Sequence, residues 1–467
     1  HQHQLAHGSN NNNNIININS SNNGRGKGTS RSNSPAQPPR AAGNRRGSET
    51  SWGSGSGSGS GGGGSSSPVP PALVCSPLLG EHKHGGRKPT VAELAGHVLE
   101  FAKDSHGSRY LQDVMNKASR PERDALINEI KNDCLSVVQD LFGNYVMQNF
   151  LDNGTEEQRE FIANKMRGVI VDLSMHPHGC RVVQKVLELI GPTSTRYDLL
   201  HELILKRGNL DITARDPHAT HVLQKAVVVL QRDVYPFLER RPGRGDRFKK
   251  VPRGAAQNKV APAPGSTDPE RIQTSRTLLK AVEDIVAKNV MTLAVNQHAC
   301  RLVQRVLGDC DCSRSPCVSV MMEALERDHE KLSRDQHGNF ILQHILELGQ
   351  QHQADLIQDY VSGRVIELSQ HKFGSHLVEK CLVTANPAQA TAIIDVLLST
   401  PEEMLTKMMM DPYANFVLQR AYDVGNATQR ARVDSAVQQR HELLQQTTSG
   451  RHIISHLARA KSSSSSS

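Results

Sequence analysis

The chain has 467 residues, with 55 Lys and Arg against 47 Asp and Glu, which gives a formal net charge of +8. This basic balance favours an acidic partner, of which nucleic acid is the commonest and an anionic membrane the next. Aromatic residues make up only 4% of the chain, which argues against a binding surface built on many exposed rings. The eight cysteines follow no paired framework, so we predict free thiols in a reducing compartment.

The first 87 residues are of low complexity. They contain an Asn run, the stretch GSGSGSGSGGGGSSS and a Pro-rich piece, and such a composition buries too little apolar surface to offset the entropy of ordering. We therefore predict that residues 1–87 are disordered. Gly57, Gly59 and Gly62 form a GxGxxG pattern, but no predicted strand precedes it and no helix follows, so it does not indicate a dinucleotide site. The apolar stretch PVPPALVCSPLLG is too short to span a bilayer.

From about residue 88 to about residue 460, apolar residues recur at helical spacing together with a seven-residue motif. Successive motifs lie 36, 36, 40, 80, 39, 36 and 40 residues apart. We interpret the double gap as an insertion at about 232–272, because no further motif occurs between the fourth and fifth copies. The Ser tail at 462–467 is predicted to be disordered. In chain order the motifs are HGSRYLQ, FGNYVMQ, HGCRVVQ, HATHVLQ, HACRLVQ, HGNFILQ, FGSHLVE and YANFVLQ.

Each motif carries the signals of a helix start. The residue two positions before the motif is Asp or Asn in six copies, and both are favoured N-cap residues. His176 and His371 are the exceptions. Pro177, Pro217 and Pro412 follow this position, and proline is favoured as the first residue of a helix. Another amphipathic run separates successive motifs, so each repeat is predicted to contain two or three helices, and such units stack into an α-solenoid. The predicted Asp and Asn caps are Asp104, Asp140, Asp216, Asn296, Asp335 and Asp411.

The third, fourth and seventh motif residues share one side of each predicted helix. Consecutive residues of a helix are about 100° apart, so the third and seventh lie about 40° apart and the fourth flanks them. The seventh residue is Gln in seven motifs and Glu in the other, while the fourth is always a flat side chain. A flat group beside a hydrogen-bonding pair suits one nucleobase, since stacking on a side chain contributes about 1–3 kcal/mol per base.

These positions are the candidate site, with two edge residues and one stacking residue in each repeat. The pairs predicted to bind base edges are Ser108 and Gln112, Asn144 and Gln148, Cys180 and Gln184, Thr220 and Gln224, Cys300 and Gln304, Asn339 and Gln343, Ser375 and Glu379, and Asn415 and Gln419. The residues predicted to stack on bases are Arg109, Tyr145, Arg181, His221, Arg301, Phe340, His376 and Phe416.

The array resembles the Pumilio homology domain of the PUF family, in which each repeat binds one RNA base with two or three side chains. The resemblance covers residues 88–461, with all eight repeats and the flanking half-repeats AELAGHVLEFAKD and SGRHIISHLARAK. It implies an all-α fold, a curved right-handed α-solenoid of eight Pumilio repeats with flanking half-repeats, preceded by the disordered N-terminal region.

The family's recognition code predicts one base for each repeat. Ser or Cys with Gln implies adenine, Asn with Gln implies uracil, and Ser375 with Glu379 implies guanine. The chemistry agrees, because guanine presents adjacent N–H donors and a carboxylate only accepts, whereas an amide both donates and accepts. Thr220 departs from the code, and we assign uracil to its repeat. Since the family places the RNA 5′ end on the last repeat, the predicted site is 5′-UGUAUAUA-3′.

The resemblance also implies a biological role. We expect sequence-specific binding of single-stranded RNA in mRNA 3′ untranslated regions, repression of translation, and promotion of mRNA decay through a deadenylase complex and other translational repressors. The protein is expected to be a cytoplasmic monomer that associates with no membrane, needs no cofactor or metal, and is not an enzyme. The sequence contains no P-loop, HExxH or nucleophile elbow to suggest otherwise.

Two other functions fit a helical repeat array. One is an armadillo-like or HEAT-like scaffold that binds an extended peptide, although such a scaffold has no need for one Glu among the Gln residues or for flat side chains at the fourth position. The other is a PUF relative in ribosome biogenesis with weak sequence preference, although such relatives lack a regular eight-repeat code.

Three local features of the sequence have simpler interpretations than a metal site or a second binding site. The first motif residue is His, Phe or Tyr, and a metal ligand would not alternate with Phe, so we interpret it as a packing ring. Cys310, Cys312 and Cys317 lack the paired spacing of a zinc site and are interpreted as loop thiols. Residues 240–259 of the insertion have eight basic residues and one acidic residue; a solvated loop, a phosphate-binding segment and a nuclear-import signal all remain open.

Overall fold

The computed structural model describes residues 76–464 apart from 207–208, 236–260, 262 and 309–310. All of these residues belong to one compact unit, residues 71–467. Helices are their regular secondary structure and no strand occurs among them, as predicted for an all-α protein. Within the same ranges, every helix is too short or too polar to cross a membrane.

The helices follow the repeat boundaries, with one short helix, one motif helix and one third helix in each repeat. A 3₁₀ turn at Lys131–Asp133 joins the first two repeats. In chain order the helices are α1 (Pro77–Lys83), α2 (Val98–Ala102), α3 (Gly107–Lys117), α4 (Arg120–Ile130), α5 (Cys134–Val138), α6 (Gly143–Asn153), α7 (Glu156–Lys165), α8 (Ile170–Met175), α9 (Gly179–Leu189), α10 (Ser194–Leu205), α11 (Asn209–Arg215), α12 (Ala219–Val234), α13 (Pro269–Lys288), α14 (Val290–Ala294), α15 (Cys300–Leu307), α16 (Pro316–Arg327), α17 (His329–Arg334), α18 (Asn339–Leu348), α19 (Gln351–Gly363), α20 (Val365–Ser369), α21 (Gly374–Thr384), α22 (Pro387–Leu398), α23 (Glu402–Met410), α24 (Ala414–Val424), α25 (Ala427–Gln439), α26 (His441–Gln445) and α27 (Thr448–Ser464).

Motif helices pack on one another in an unbroken row from α3 to α27. The fifth and sixth motif residues, such as Val146 and Met147 in α6, are buried between neighbouring helices, except for the half-buried Tyr110 of the first motif. Helix α12 packs directly on α15 although their motifs are 80 residues apart, so the fourth and fifth repeats are neighbours in the row. The predicted insertion overlaps the connection from α12 to α13, of which residues 236–260 and 262 lie outside the described ranges.

Asp233, near the end of α12, joins both ends of this connection. Its carboxylate accepts hydrogen bonds from Arg196 Nη2 at 3.0 Å, from the Tyr197 hydroxyl at 3.0 Å and from Ser275 Oγ at 2.7 Å. It also accepts one from the backbone N–H of Ser266, at 2.9 Å, where the chain returns from the insertion. The side chains of Arg196 and Asp233 are 1% and 0% exposed, so this is a fully buried ion pair.

The amino-terminal boundary differs from the prediction. Residues 77–83, predicted to be disordered, form α1, which buries Leu79 and places the His82 ring 4.7 Å from that of Tyr110. Ser76 Oγ accepts a hydrogen bond from the N–H of Leu79, and Pro77 is the first helical residue. This Ser-Pro pair was a helix-start signal that the surrounding low complexity obscured. At the other end, α27 continues to Ser464, past the predicted boundary at residue 461.

Helix starts in the motifs are capped as predicted, and the two histidines act in the same way as the acids. The Asp104 carboxylate accepts hydrogen bonds from the N–H groups of His106 and Gly107, at 2.9 and 3.0 Å. His176 Nδ1 accepts the equivalent bonds at 3.2 and 3.1 Å, and so does His371 Nδ1. Pro177 and its counterparts lie in the turn two residues before the first residue of each regular helix rather than at that residue.

These histidine caps predict a pH-dependent stability. A histidine Nδ1 can accept a hydrogen bond only when the ring is neutral. Burial is the main cause that lowers the pKa of both His176 and His371; His178 adds to this effect at His176, and Arg334 adds to it at His371. Since the folded-state pKa lies below the unfolded value, the caps contribute fully above the unfolded pKa, about 6.5, and are lost as pH falls through the folded pKa.

We therefore expect urea unfolding at pH 5.5 to show a lower free energy of unfolding than at pH 7.5, with each cap contributing about 1 kcal/mol. The double variant His176→Asn, His371→Asn is the control, because Asn296 caps the fifth motif helix in the same way and does not titrate. If the variant keeps the full pH dependence of the wild type, other groups cause it.

The second motif residue is small because the motif helix starts against the preceding short helix. A Cβ on Gly143 would lie 2.7 Å from both the carbonyl oxygen and Cγ1 of Val137. Overpacking of this kind costs about 1–3 kcal/mol, whereas the better helix propensity of Ala over Gly stabilises the helix by up to about 1 kcal/mol. We expect Gly143→Ala to lower the free energy of unfolding by about 1–2 kcal/mol, measured by urea denaturation.

Gly363→Ala is the matched control for that prediction. A Cβ on Gly363, within α19, would meet nothing within 4 Å, so this substitution should be neutral or stabilising by up to about 1 kcal/mol. Equal effects of the two substitutions would show that close helix contact does not select glycine in the motif.

Candidate nucleic-acid interface

The third motif residues lie at the beginning of each motif helix and are all buried. None of them is more than 4% exposed, since the helix start packs against the preceding helix and the next repeat. The fourth residues are exposed except for Arg301 and Phe340, which are half-buried. The seventh residues are half-buried, apart from the more deeply placed Gln304 and Gln419. The helix geometry thus brings each predicted trio together, but in the free chain the third side chain lies beneath the surface.

Three repeats combine Asn with Gln, and the two amides are bonded to each other. In α18, Asn339 Nδ2 donates to the carbonyl oxygen of Asp335 at 2.8 Å, and Gln343 Nε2 donates to Asn339 Oδ1 at 2.7 Å. The same bonds join Asn144 to Gln148 and Asn415 to Gln419. The Asn side chain is thereby fixed. The amides of Gln343 and Gln419 each retain the oxygen and one N–H for an outside partner, whereas Gln148 Nε2 also donates to the carbonyl oxygen of Asn144.

The first and third repeats position the glutamine differently. Gln112 Nε2 donates to the carbonyl oxygen of Ser108 at 3.1 Å, and Gln184 Nε2 donates to that of Cys180 at 3.0 Å. The small third residues Ser108 and Cys180 leave more room beside the glutamine than Asn does.

The fourth and seventh repeats stand apart. Gln224 Nε2 is buried and has no hydrogen-bond partner among the described residues. Glu379 supplies the only carboxylate at a seventh position, and burial raises its pKa, an effect opposed by the nearby His376 and Arg420. His376 Nδ1 lies 3.8 Å from Glu379 Oε1. A half-buried carboxylate with few donors around it is prepared to accept hydrogen bonds from a ligand.

Two contacts join flat side chains of consecutive repeats. The guanidinium of Arg301 lies 5.2 Å from the ring centroid of Phe340, and the rings of Phe416 and His452 lie 6.1 Å apart at an angle of 41°. Although the His221 side chain keeps an exposed surface, partial burial among its neighbours is the main cause that lowers its pKa, and His298 and Arg181 add to it. The contacts at Arg301 and Phe416 bring flat side chains of neighbouring repeats together.

His452 was missed by the sequence prediction. It lies in α27, where GRH of the carboxy-terminal half-repeat occupies the place of the second to fourth motif residues. Aligning Gly450 with the small second residue of the motifs would have identified it, because a Cβ there would meet the Leu444 carbonyl oxygen just as the other motif glycines meet theirs.

The cysteines of CDCSRSPC, interpreted from the sequence as loop thiols, lie only partly in a loop, because Cys317 is the second residue of α16. Cys310 lies outside the described residues, Cys317 Sγ is 3.0 Å from Asp284 Oδ1, and Cys312 Sγ accepts from Gln353 Nε2 at 3.5 Å. Within the described ranges no three His, Cys, Asp or Glu side chains are grouped to hold a metal ion.

The sequence matches a family model described as the Pumilio-family RNA binding repeat, over just over half of the chain. A Pumilio domain-containing protein of Schizosaccharomyces pombe is 26% identical over 379 residues, covering 80% of this chain and 48% of that protein. Pumilio homolog 12 of Arabidopsis thaliana is 26% identical over 377 residues, covering 80% and 54%. The chain thus spans about half the length of these relatives. The matched repeats are residues 97–131, 133–166, 170–204, 214–231, 289–313, 330–361, 364–398 and 406–433.

Two of the solved structures similar to this chain are RNA-bound Puf domains. The Puf3 RNA binding domain, bound to a Cox17 RNA 3′ UTR recognition sequence, superposes with a TM-score of 0.63 at 24% identity, covering 82% of this chain and 100% of that one. The Puf4 RNA binding domain, bound to an HO endonuclease RNA 3′ UTR recognition sequence, gives a TM-score of 0.51 at 26% identity, covering 78% and 99%. Together with the eight family-model matches, these likenesses confirm the predicted α-solenoid of eight repeats.

Proposed function

This chain belongs to the Pumilio family of RNA-binding repeat proteins, and on that premise we propose that it binds single-stranded RNA sequence-specifically, with one base per repeat. The observation that carries the proposal is the row of eight trios on consecutively packed helices, each with a flat fourth residue beside a hydrogen-bonding pair. The Puf4 domain, 26% identical and bound to an RNA recognition sequence, supports the same role for this chain.

The proposed site is 5′-UGUAUAUA-3′ in mRNA 3′ untranslated regions. The third and seventh residues of each motif are proposed to bind base edges and the fourth residues to stack on bases. The Asn–Gln pairs present the same amide edge in three repeats, which supports assigning one base, uracil, to all three. Glu379 offers only acceptors, which supports guanine at the second nucleotide.

The biological role follows from this site by family membership. We propose that the chain acts as a cytoplasmic monomer that represses translation and promotes mRNA decay, with a deadenylase complex as a partner, and that it performs no catalysis. Residues 88–461 are the proposed Pumilio homology domain, with the insertion as an addition to its fourth repeat.

The test is fluorescence polarisation of the full chain with labelled 5′-UGUAUAUA-3′ and with the same RNA carrying C at the second nucleotide, at about 150 mM salt. We expect a loss of affinity of about tenfold or more for the changed RNA. Equal affinities would leave only sequence-independent attraction of RNA to a basic protein, and absence of binding would favour a peptide-binding scaffold.

A further inference from the structure

Facing fourth residues of consecutive repeats define a slot in which a base could stack. We name each slot after the repeat that contributes the edge residues, so the fifth slot lies between Arg301 and Phe340. A base held between two flat groups needs about 7 Å between them, because each van der Waals contact takes about 3.5 Å. The 5.2 Å between the Arg301 guanidinium and the Phe340 ring leaves no such space.

The third and fifth repeats offer a matched comparison. Both carry Cys, Arg and Gln at the third, fourth and seventh positions, so sequence alone predicts the same adenine contact for both. In the third repeat, Arg181 is exposed and Gln184 makes one hydrogen bond, to the Cys180 carbonyl oxygen. Gln184 Oε1 accepts from no described residue and can meet a base.

In the fifth repeat both ends of the glutamine amide are occupied. Gln304 Nε2 donates to the carbonyl oxygen of Phe340 at 2.9 Å, and Gln304 Oε1 accepts from Arg301 Nη1 at 3.0 Å. Gln304 is only 6% exposed. The edge that should meet adenine is therefore hydrogen-bonded within the protein, and the flat group that should stack on it covers Phe340 instead.

The difference between the two slots lies in the next repeat. The third slot faces His221, whereas the fifth faces Phe340. A guanidinium is attracted to the face of an aromatic ring, and Arg301 makes this contact within the range of a cation–π interaction. The third slot has an imidazole there instead, and the pKa of His221 is lowered first by burial and then by the neighbouring His298 and Arg181, so a positive charge on that ring is disfavoured beside Arg181.

Resting on the proposed function, we propose that Phe340 is a specificity-determining residue for the base of the preceding repeat: it holds the fifth slot closed in the free chain. Before adenine can enter, the Arg301–Phe340 contact and both hydrogen bonds of Gln304 must break. The fourth nucleotide is therefore discriminated less strongly than the sixth, although the two repeats carry identical edge and stacking residues.

The test compares cytosine substitutions at these two nucleotides of 5′-UGUAUAUA-3′, by fluorescence polarisation of the full chain. Cytosine at the sixth nucleotide should weaken binding about tenfold or more, and at the fourth by about threefold or less. Phe340→His makes the fifth slot equivalent to the third and should raise the penalty at the fourth nucleotide to that at the sixth. The reciprocal His221→Phe should lower the penalty at the sixth. Each penalty is the ratio of two dissociation constants measured on the same variant, one for the cytosine-substituted RNA and one for 5′-UGUAUAUA-3′. A change in affinity that is common to both RNAs therefore cancels.

Equal wild-type penalties at the two nucleotides would overturn the proposal, and so would a Phe340→His variant that leaves the fourth-nucleotide penalty unchanged. A second measurement needs no RNA: phenylglyoxal modifies accessible guanidinium groups, and peptide mass spectrometry of the free chain locates them. Arg181 should react faster than Arg301, and Phe340→His should speed the reaction of Arg301. Equal rates would contradict the closed slot, whereas loss of all RNA binding with unequal rates would reject the proposed function alone.

Discussion

Asp233→Ala is expected to lower the free energy of unfolding by about 3–5 kcal/mol, because it leaves the Arg196 guanidinium buried without its counter-charge. The carboxylate also accepts bonds from the Tyr197 hydroxyl, Ser275 Oγ and the Ser266 N–H, and these donors would lose their partner as well. Urea denaturation followed by circular dichroism measures the change.

Two further variants separate the charge from the hydrogen bonds and from general effects of removing an acid. Asp233→Asn keeps one acceptor oxygen, so its free energy of unfolding should lie between those of the wild type and Asp233→Ala. Asp198→Ala removes the partner of Arg167 from an ion pair whose side chains are 43% and 55% exposed, and should change the stability by less than about 1 kcal/mol. If Asp233→Ala lowers the free energy of unfolding by no more than Asp198→Ala does, the buried ion pair does not stabilise the fold.

Glu379→Gln is the second large prediction, and it concerns base preference. Guanine presents two adjacent N–H donors, and a glutamine can accept only one of them while its NH₂ group opposes the other. We expect affinity for 5′-UGUAUAUA-3′ to fall about 30–100-fold, equivalent to about 2–3 kcal/mol. The variant should instead admit adenine at the second nucleotide, since Ser375 with glutamine reproduces the Ser108–Gln112 pair of the first repeat.

The reciprocal substitution Gln112→Glu is the matched control. It gives the first repeat the Ser–Glu pair of the seventh and should shift preference at the eighth nucleotide from adenine to guanine. Competition binding with RNAs varied at the second or eighth nucleotide measures both shifts. If Glu379→Gln still rejects adenine at the second nucleotide as strongly as the wild type, the assignment of guanine to the seventh repeat is wrong.

Periodicity explains why so much of the fold was predictable. Eight copies of one motif at nearly constant spacing identify the motif helices and their caps from local pattern alone. His176 and His371 were set aside as exceptions because histidine is not a favoured cap, yet Nδ1 of a neutral ring accepts the same two backbone N–H groups. The capping position needs only a side-chain acceptor atom close to the backbone, and more residue types supply one than the favoured Ser, Thr, Asp and Asn.

The details of the candidate site were less predictable because they depend on neighbours distant in sequence. Nothing local to Cys300, Arg301 and Gln304 distinguishes them from Cys180, Arg181 and Gln184. Their different arrangement depends on Phe340, whose ring and backbone carbonyl meet the fifth repeat from the sixth. The helical geometry predicted which side chains share a face, but not that the third residue lies beneath the surface, because its burial comes from packing between repeats.

The bonds around Asp233 have a consequence for protein engineering. Because the carboxylate near the end of α12 binds the N–H of Ser266, the chain leaves and re-enters the repeat array at almost the same point. A folded passenger could be carried there without separating the fourth and fifth repeats, since domain insertion is tolerated when the termini of the inserted domain lie close together. Replacing part of residues 238–260 with a fluorescent protein or an effector enzyme would then place the passenger at a defined position near the middle of the array, which fusions to the chain termini cannot do.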